Sequence, residues 1–117
     1  MEPFEIHFTE REGVTIAVVK GYFNAEAGEL LSDKIDRLGL KGIVRVVVDF
    51  THCSLLNSPG VTSMVDIVLK ISEDFAGKIA LVGLDNLKLQ VLKTVHVIPP
   101  AEVALTLDEA YHLASQD

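Results

Sequence analysis

Phe4, Ile6 and Phe8 alternate with Glu5, His7 and Thr9, a period of two that predicts a strand with one wet face. The polar run Glu10-Arg11-Glu12-Gly13 ends in glycine and predicts a turn into a second strand over Val14–Lys20, an antiparallel hairpin. After Gly21 the period changes. Asn24 is suited to cap a helix in which Ala27, Leu30, Leu31, Ile35 and Leu38 recur every three or four residues, and Gly39 is placed to stop it. The β-branched run Ile43–Phe50 predicts a central strand covered on both faces. From Val61 the residues Met64, Val65, Val68, Leu69 and Phe75 return to helical spacing, with Asp66, Lys70 and Glu73 opposite, so a second helix runs from near Pro59 to near Gly77. Lys78–Gly83 predicts another buried strand, and Asp85 or Asn86 caps a brief helix carrying Leu87, Val91 and Leu92. Pro99-Pro100 forbids helix, and Val103–Leu105 predicts a short last strand. Thr106, with Glu109 completing a capping box, then starts a terminal helix through Leu107, Ala110, Tyr111 and Ala114.

A hairpin followed by alternating helices and strands implies right-handed crossovers. The expected architecture is α/β: a mixed sheet, antiparallel in its N-terminal hairpin and parallel later, with about four helices. At 117 residues, with no linker, repeat or low-complexity stretch, the chain reads as a single domain over 1–117.

Charge and cysteine usage narrow the partners. A formal charge of −7 without a Lys/Arg cluster disfavours nucleic acid and anionic lipid surfaces, and the acidic residues read as a solvated face. Cys53 is the single cysteine, which excludes an internal disulfide and suits a reducing compartment. Met1-Glu2-Pro3-Phe4-Glu5 lacks the basic and apolar regions of a signal peptide, and the longest apolar run is too short to cross a bilayer; a cytoplasmic location is expected.

Ligands and partners of open α/β sheets meet the loops beyond the carboxyl ends of parallel strands. Here that loop is read as Thr51-His52-Cys53-Ser54-Leu55-Leu56-Asn57-Ser58-Pro59-Gly60. Ser58 is suited to the N-cap of the second helix, Pro59 to its first helical position, and Gly60 to close approach by another group. No catalytic constellation assembles. His7, His52, His96 and His112 are scattered without metal-ligand spacing, and the His52-Cys53 neighbours point to opposite faces of an extended segment. Gly83-Leu84-Asp85-Asn86 lacks the glycine spacing of a nucleotide loop. The expectation is a protein-binding module, not an enzyme, with no cofactor and no metal. Its contacts are expected at Asn57, Ser58, Pro59 and Gly60, then Thr62 and Ser63.

The order of hairpin, helix, Val48-Asp49-Phe50 strand end, Asn57-Ser58-Pro59-Gly60 and amphipathic helix resembles the STAS family, typified by bacterial anti-sigma factor antagonists. The resemblance extends to the late Asp108-Glu109-Ala110 helix start and covers essentially the whole chain in element order. It implies transcription regulation by signalling: the serine aligned with Ser58 is a phosphorylation candidate for a partner that is both serine kinase and anti-sigma factor, and a phosphatase resets it. Asn57 and Pro59 depart from the aspartate and second serine usual there, which leaves the acceptor hydroxyl but alters its surroundings. The same resemblance admits an accessory subunit of an ABC-type lipid transporter or a scaffold subunit of a signalling complex.

Overall fold

A computed structural model describes residues 3–116. Strand β1 (Phe4–Arg11) pairs antiparallel with β2 (Val14–Phe23), leaving a tight turn at Glu12 and Gly13 with φ of 47° and 85°. Positive φ at both turn residues gives the backbone twist that two-residue hairpins favour. Beyond the hairpin come α1 (Ala25–Gly39), β3 (Arg45–Leu56), α2 (Ser58–Leu69) and a single π-helical turn (Lys70–Asp74). The chain continues through β4 (Lys78–Val82), α3 (Asn86–Thr94), β5 (Glu102–Ala104) and α4 (Leu107–Ser115). The sheet order is β1-β2-β3-β4-β5, with every pairing after the hairpin parallel. The mixed sheet and its helices are those expected of the α/β pattern.

Successive right-handed crossovers that advance in one direction put their helices on one face. Accordingly α1, α2 and α3 supply Leu31, Ile35, Met64, Ile67 and Leu92 to the larger core, against Val46, Val48 and Phe50 of β3. The opposite face is closed by α4, whose Ala110, Tyr111 and Ala114 pack with Val14, Val47 and Ala80. Residues of β3 alternate between these two cores, which is why its sequence is apolar without a wet face. Arg45 donates to the carbonyls of Ala114 and Gln116 at 3.0 and 2.9 Å and ties down the end of α4.

Helix starts follow their caps. Asn24 Oδ1 accepts from the Ala27 amide at 2.9 Å, Asp85 Oδ1 from Lys88 at 2.9 Å and Thr106 Oγ1 from Glu109 at 3.1 Å. The Glu109 carboxylate accepts from the Leu105 amide, one residue before the cap the sequence assigned it. Two expected boundaries are corrected. Gly39 is the last residue of α1 and has no left-handed backbone; it is glycine because a Cβ there would lie 2.5 Å from the Phe75 ring. The segment Thr51–Leu56, expected as loop, is strand, because Lys20–Phe23 extend β2 far enough to pair with it.

The start of α2 is pressed against the end of β2. The Asn57 amide donates to the Phe23 carbonyl at 3.3 Å, and a Cβ on Gly60 would lie 2.0 Å from that same oxygen. Alongside, a Cβ on Gly28 would overlap the Ser63 side chain, so α1 and α2 meet without intervening side-chain bulk. Gly60→Ala is expected to destabilise the fold by about 2 kcal/mol or more, as overpacking against rigid backbone does. The check is a lower urea midpoint with an unchanged m-value.

Candidate functional site

Ser58 does not occupy the position expected of it. The cap of α2 is Asn57, in extended conformation (φ −83°, ψ 173°), whose Oδ1 accepts from the Gly60 amide at 2.9 Å. Ser58 is therefore the first helical residue and Pro59 the second. Asparagine and serine are near-equal caps, and β3 runs to Leu56, so the extended backbone a cap requires falls on Asn57. The shift frees Ser58: its side chain makes no hydrogen bond among the described residues and is exposed, as are Pro59 and Thr62. Thr62 Oγ1 donates to the Ser58 carbonyl at 3.2 Å.

The other expected contacts are placed differently. Gly60 is buried on Phe23, so the close approach it permits is made by the chain itself. Ser63 is half-buried against Gly28, and Asn57 is half-buried with its side chain committed to the cap. Of the six residues, Ser58, Pro59 and Thr62 form the outward surface, and Asn57, Gly60 and Ser63 hold it in place.

That surface is electrostatically receptive to an anion. The first turn of α2 contains no acidic residue, so no negative side chain on that turn opposes the positive end of the helix dipole at Ser58. Asp49, in the strand-end pattern that precedes it, is occupied internally: its Oδ1 accepts from the Thr51 amide at 2.9 Å and the Thr51 hydroxyl at 2.6 Å.

Beside Ser58 the strand extension and α3 enclose a groove of about 150 Å³ lined by Ser54, Leu55, Leu56, Leu87, Val91 and the Asp85–Lys88 pair. Leu55 is 42 % exposed and Leu87 72 %. The signal that could have revealed the groove was the apolar pair Leu55-Leu56 inside a segment taken for loop. Lys88 is 7 % exposed, and its ammonium donates to Asp85 Oδ2 at 2.6 Å. That hydrogen bond holds the Asp85 carboxyl below the usual aspartate range.

Cys53 of β3 is buried, with its thiol directed at the Leu55 carbonyl 3.4 Å away. Burial pushes its pKa up. The histidines do not converge: His7 bonds Glu5, His112 lies 3.5 Å from Asp108, and His52 and His96 are exposed on separate segments. Among the described residues no three His, Cys, Asp or Glu side chains group to hold a metal ion, and no helix is long and apolar enough to cross a membrane.

Three outcomes follow from this geometry. Asn57→Ala should cost about 1 kcal/mol, read as a lower unfolding midpoint, whereas Ser58→Ala should leave the midpoint unchanged. Cys53, hidden and with a raised pKa, should resist an alkylating reagent near neutral pH while the fold persists and react at once in denaturant. Because the Asp85 carboxyl is depressed in the fold, the stability it lends is present above the unfolded aspartate value and is lost as pH falls through the folded value. Asp85→Asn should therefore flatten the acid limb of the stability curve and leave its neutral-pH slope alone.

No family model matches the chain, and no curated protein matches it. Solved structures do. The chain is similar to an anti-sigma factor antagonist from Mycobacterium paratuberculosis, at 15 % identity and a TM-score of 0.77 over 97 % of this chain and 96 % of that one. It is similar to the Bacillus cell fate determinant SpoIIAA in its phosphorylated form, at 21 % identity and 0.71 over 94 % and 97 %. A third is an anti-sigma-factor antagonist (STAS) domain protein from Planctomyces limnophilus, at 19 % identity and 0.71 over 95 % and 98 %. The hairpin-led parallel sheet, with three helices on one face and α4 on the other, is the STAS fold of the anti-sigma factor antagonists.

Proposed function

We propose that this domain is a non-enzymatic regulatory module that binds a partner protein through Ser58, Pro59 and Thr62, and that phosphorylation of Ser58 releases the partner. The carrying observation is the position of the Ser58 hydroxyl: exposed, unbonded and on the first turn of a 12-residue helix that has no acidic residue there. The partner in this reading is an anti-sigma factor with serine-kinase activity, and a phosphatase reverses the modification. The work is done in a bacterial cytoplasm, to which the single, buried cysteine is suited.

The energetics favour a switch that spares the fold. Phosphate brings about −1.5 to −2 charges, and the N-terminus of a helix stabilises an anion by about 0.3–1 kcal/mol when exposed. In a buried interface the same group would be desolvated without a counter-charge, at several kcal/mol, and each ~1.4 kcal/mol is tenfold in affinity. A neighbouring fold, SpoIIAA, has been solved in a phosphorylated form, which supports the reading that this architecture tolerates such a charge. Pro59 follows the acceptor directly, so the kinase must accommodate a fixed ring where the backbone has no amide to offer.

The test is calorimetric titration of the kinase-type anti-sigma factor with three forms of the full chain. Ser58→Ala is expected to bind like the wild type, and Ser58→Asp at least tenfold more weakly with no loss of thermal stability. Equal affinity of the alanine and aspartate variants would reject the switch, and phosphopeptide mass spectrometry that found no phosphate on Ser58 in cells would reject the modification.

A further inference from the structure

Strand β1 is an edge of the sheet, paired with β2 alone among the described residues. The Pro3 carbonyl accepts from the Tyr22 amide at 3.0 Å, and hydrogen-bonded pairs alternate along an antiparallel ladder. Odd-numbered residues of β1 therefore turn their backbone groups to β2, and Phe4, Ile6 and Phe8 turn theirs outward. Native edges are ordinarily protected from further pairing by lysine, proline or a bulge. Phe4–Phe8 has none of the three, and its register with β2 is unbroken.

The segment is complementary to itself. Phe4-Glu5-Ile6-His7-Phe8 reads apolar, acidic, apolar, basic, apolar, so reversing it exchanges the charges and keeps the apolar positions. Two copies set antiparallel about a twofold axis at Ile6 place Phe4 opposite the second copy's Phe8, and Ile6 opposite Ile6. These are half-buried residues that pack on the α1 side of the sheet. On the other face the exposed Glu5 meets the exposed His7, acceptor against donor. Sliding the copies by two residues one way opposes Phe4 to Glu10 and His7 to His7, and sliding the other way opposes Glu5 to Glu5. Pairing of side chains thus selects one register.

Helix α1 is polarised in the same sense. Its first half brings Glu26, Glu29 and Asp33 to a cleft with Phe4 and the exposed Leu30. Its second half brings Lys34 over the Phe8 ring, 5.5 Å from the centroid. The twofold axis turns the acidic half of one α1 toward the second copy's Lys34 and opposes the two helix dipoles. A strand and a helix, read separately, fit one arrangement.

We infer that the domain pairs with a second copy of itself through β1, making one continuous sheet across both copies. The formal charge of −7 on each copy opposes association at long range, so the dimer is reversible.

Sedimentation equilibrium of the full chain over about 10 μM to 1 mM tests this. The wild type is expected to dimerise within that range. His7→Glu turns both Glu5–His7 pairs of the dimer into like charges and should weaken it at least tenfold. Both positions are exposed, so the fold is kept, as circular dichroism would show. Adding Glu5→Lys to His7→Glu restores opposite charges and should return the affinity to within about threefold of the wild type. A wild type that stays monomeric throughout would overturn the proposal. So would a dimer that His7→Glu does not weaken, or that the second substitution does not restore, since either outcome puts the contact elsewhere or in another register.

Discussion

Everything at the Ser58 end of this molecule depends on one backbone oxygen, the carbonyl of Phe23. It accepts from the Asn57 amide, and it lies where a side chain on Gly60 would have to go. Phe23 is itself fixed: its ring is fully buried and meets Phe50 edge to face, with centroids 5.7 Å apart. A rigid strand end thus supports the first turn of α2, and the helix can approach it only because Gly60 has no Cβ. Next to this contact Asn24 starts α1 and Asn57 starts α2, so the two helix N-termini are set side by side by the same pair of strand ends.

A hydroxyl held this way has unusual freedom and little mobility of its base. Were Ser58 the cap, its oxygen would be occupied by a backbone amide, and modifying it would break the helix start. With Asn57 as cap, the helix start is secured without the Ser58 hydroxyl, so a change of charge at Ser58 would leave what holds α2 in place. An asparagine serves this arrangement as an aspartate would, since its Oδ1 accepts from Gly60 as a carboxylate oxygen does.

Most of the architecture was legible because the pattern of β3 leaves little choice: a run of β-branched residues with no wet face demands cover on both sides, and the flanking helical periods supply it. The caps Asn24 and Thr106 were readable from local sequence, and Asp85 is the cap of the two residues, Asp85 and Asn86, that the sequence offered. What the sequence did not disclose was decided by tertiary pairing. The extension of β3 through Leu56 exists only because β2 runs past Gly21 to meet it, a non-local fact that moved the cap by one residue and turned an expected loop into a groove wall. Gly39 and Gly60 announced themselves as glycines, but what needs the space, Phe75 in one case and Phe23 in the other, lies on a different element.

Native-state hydrogen exchange would examine the junction directly. If the first turn of α2 is clamped to Phe23, the amides of Asn57 and Gly60 should open only with the global unfolding of the domain, matching the most protected amides of β3. Exchange at those two positions on the scale of an exposed loop, while β3 stays protected, would contradict the claim that this contact positions Ser58.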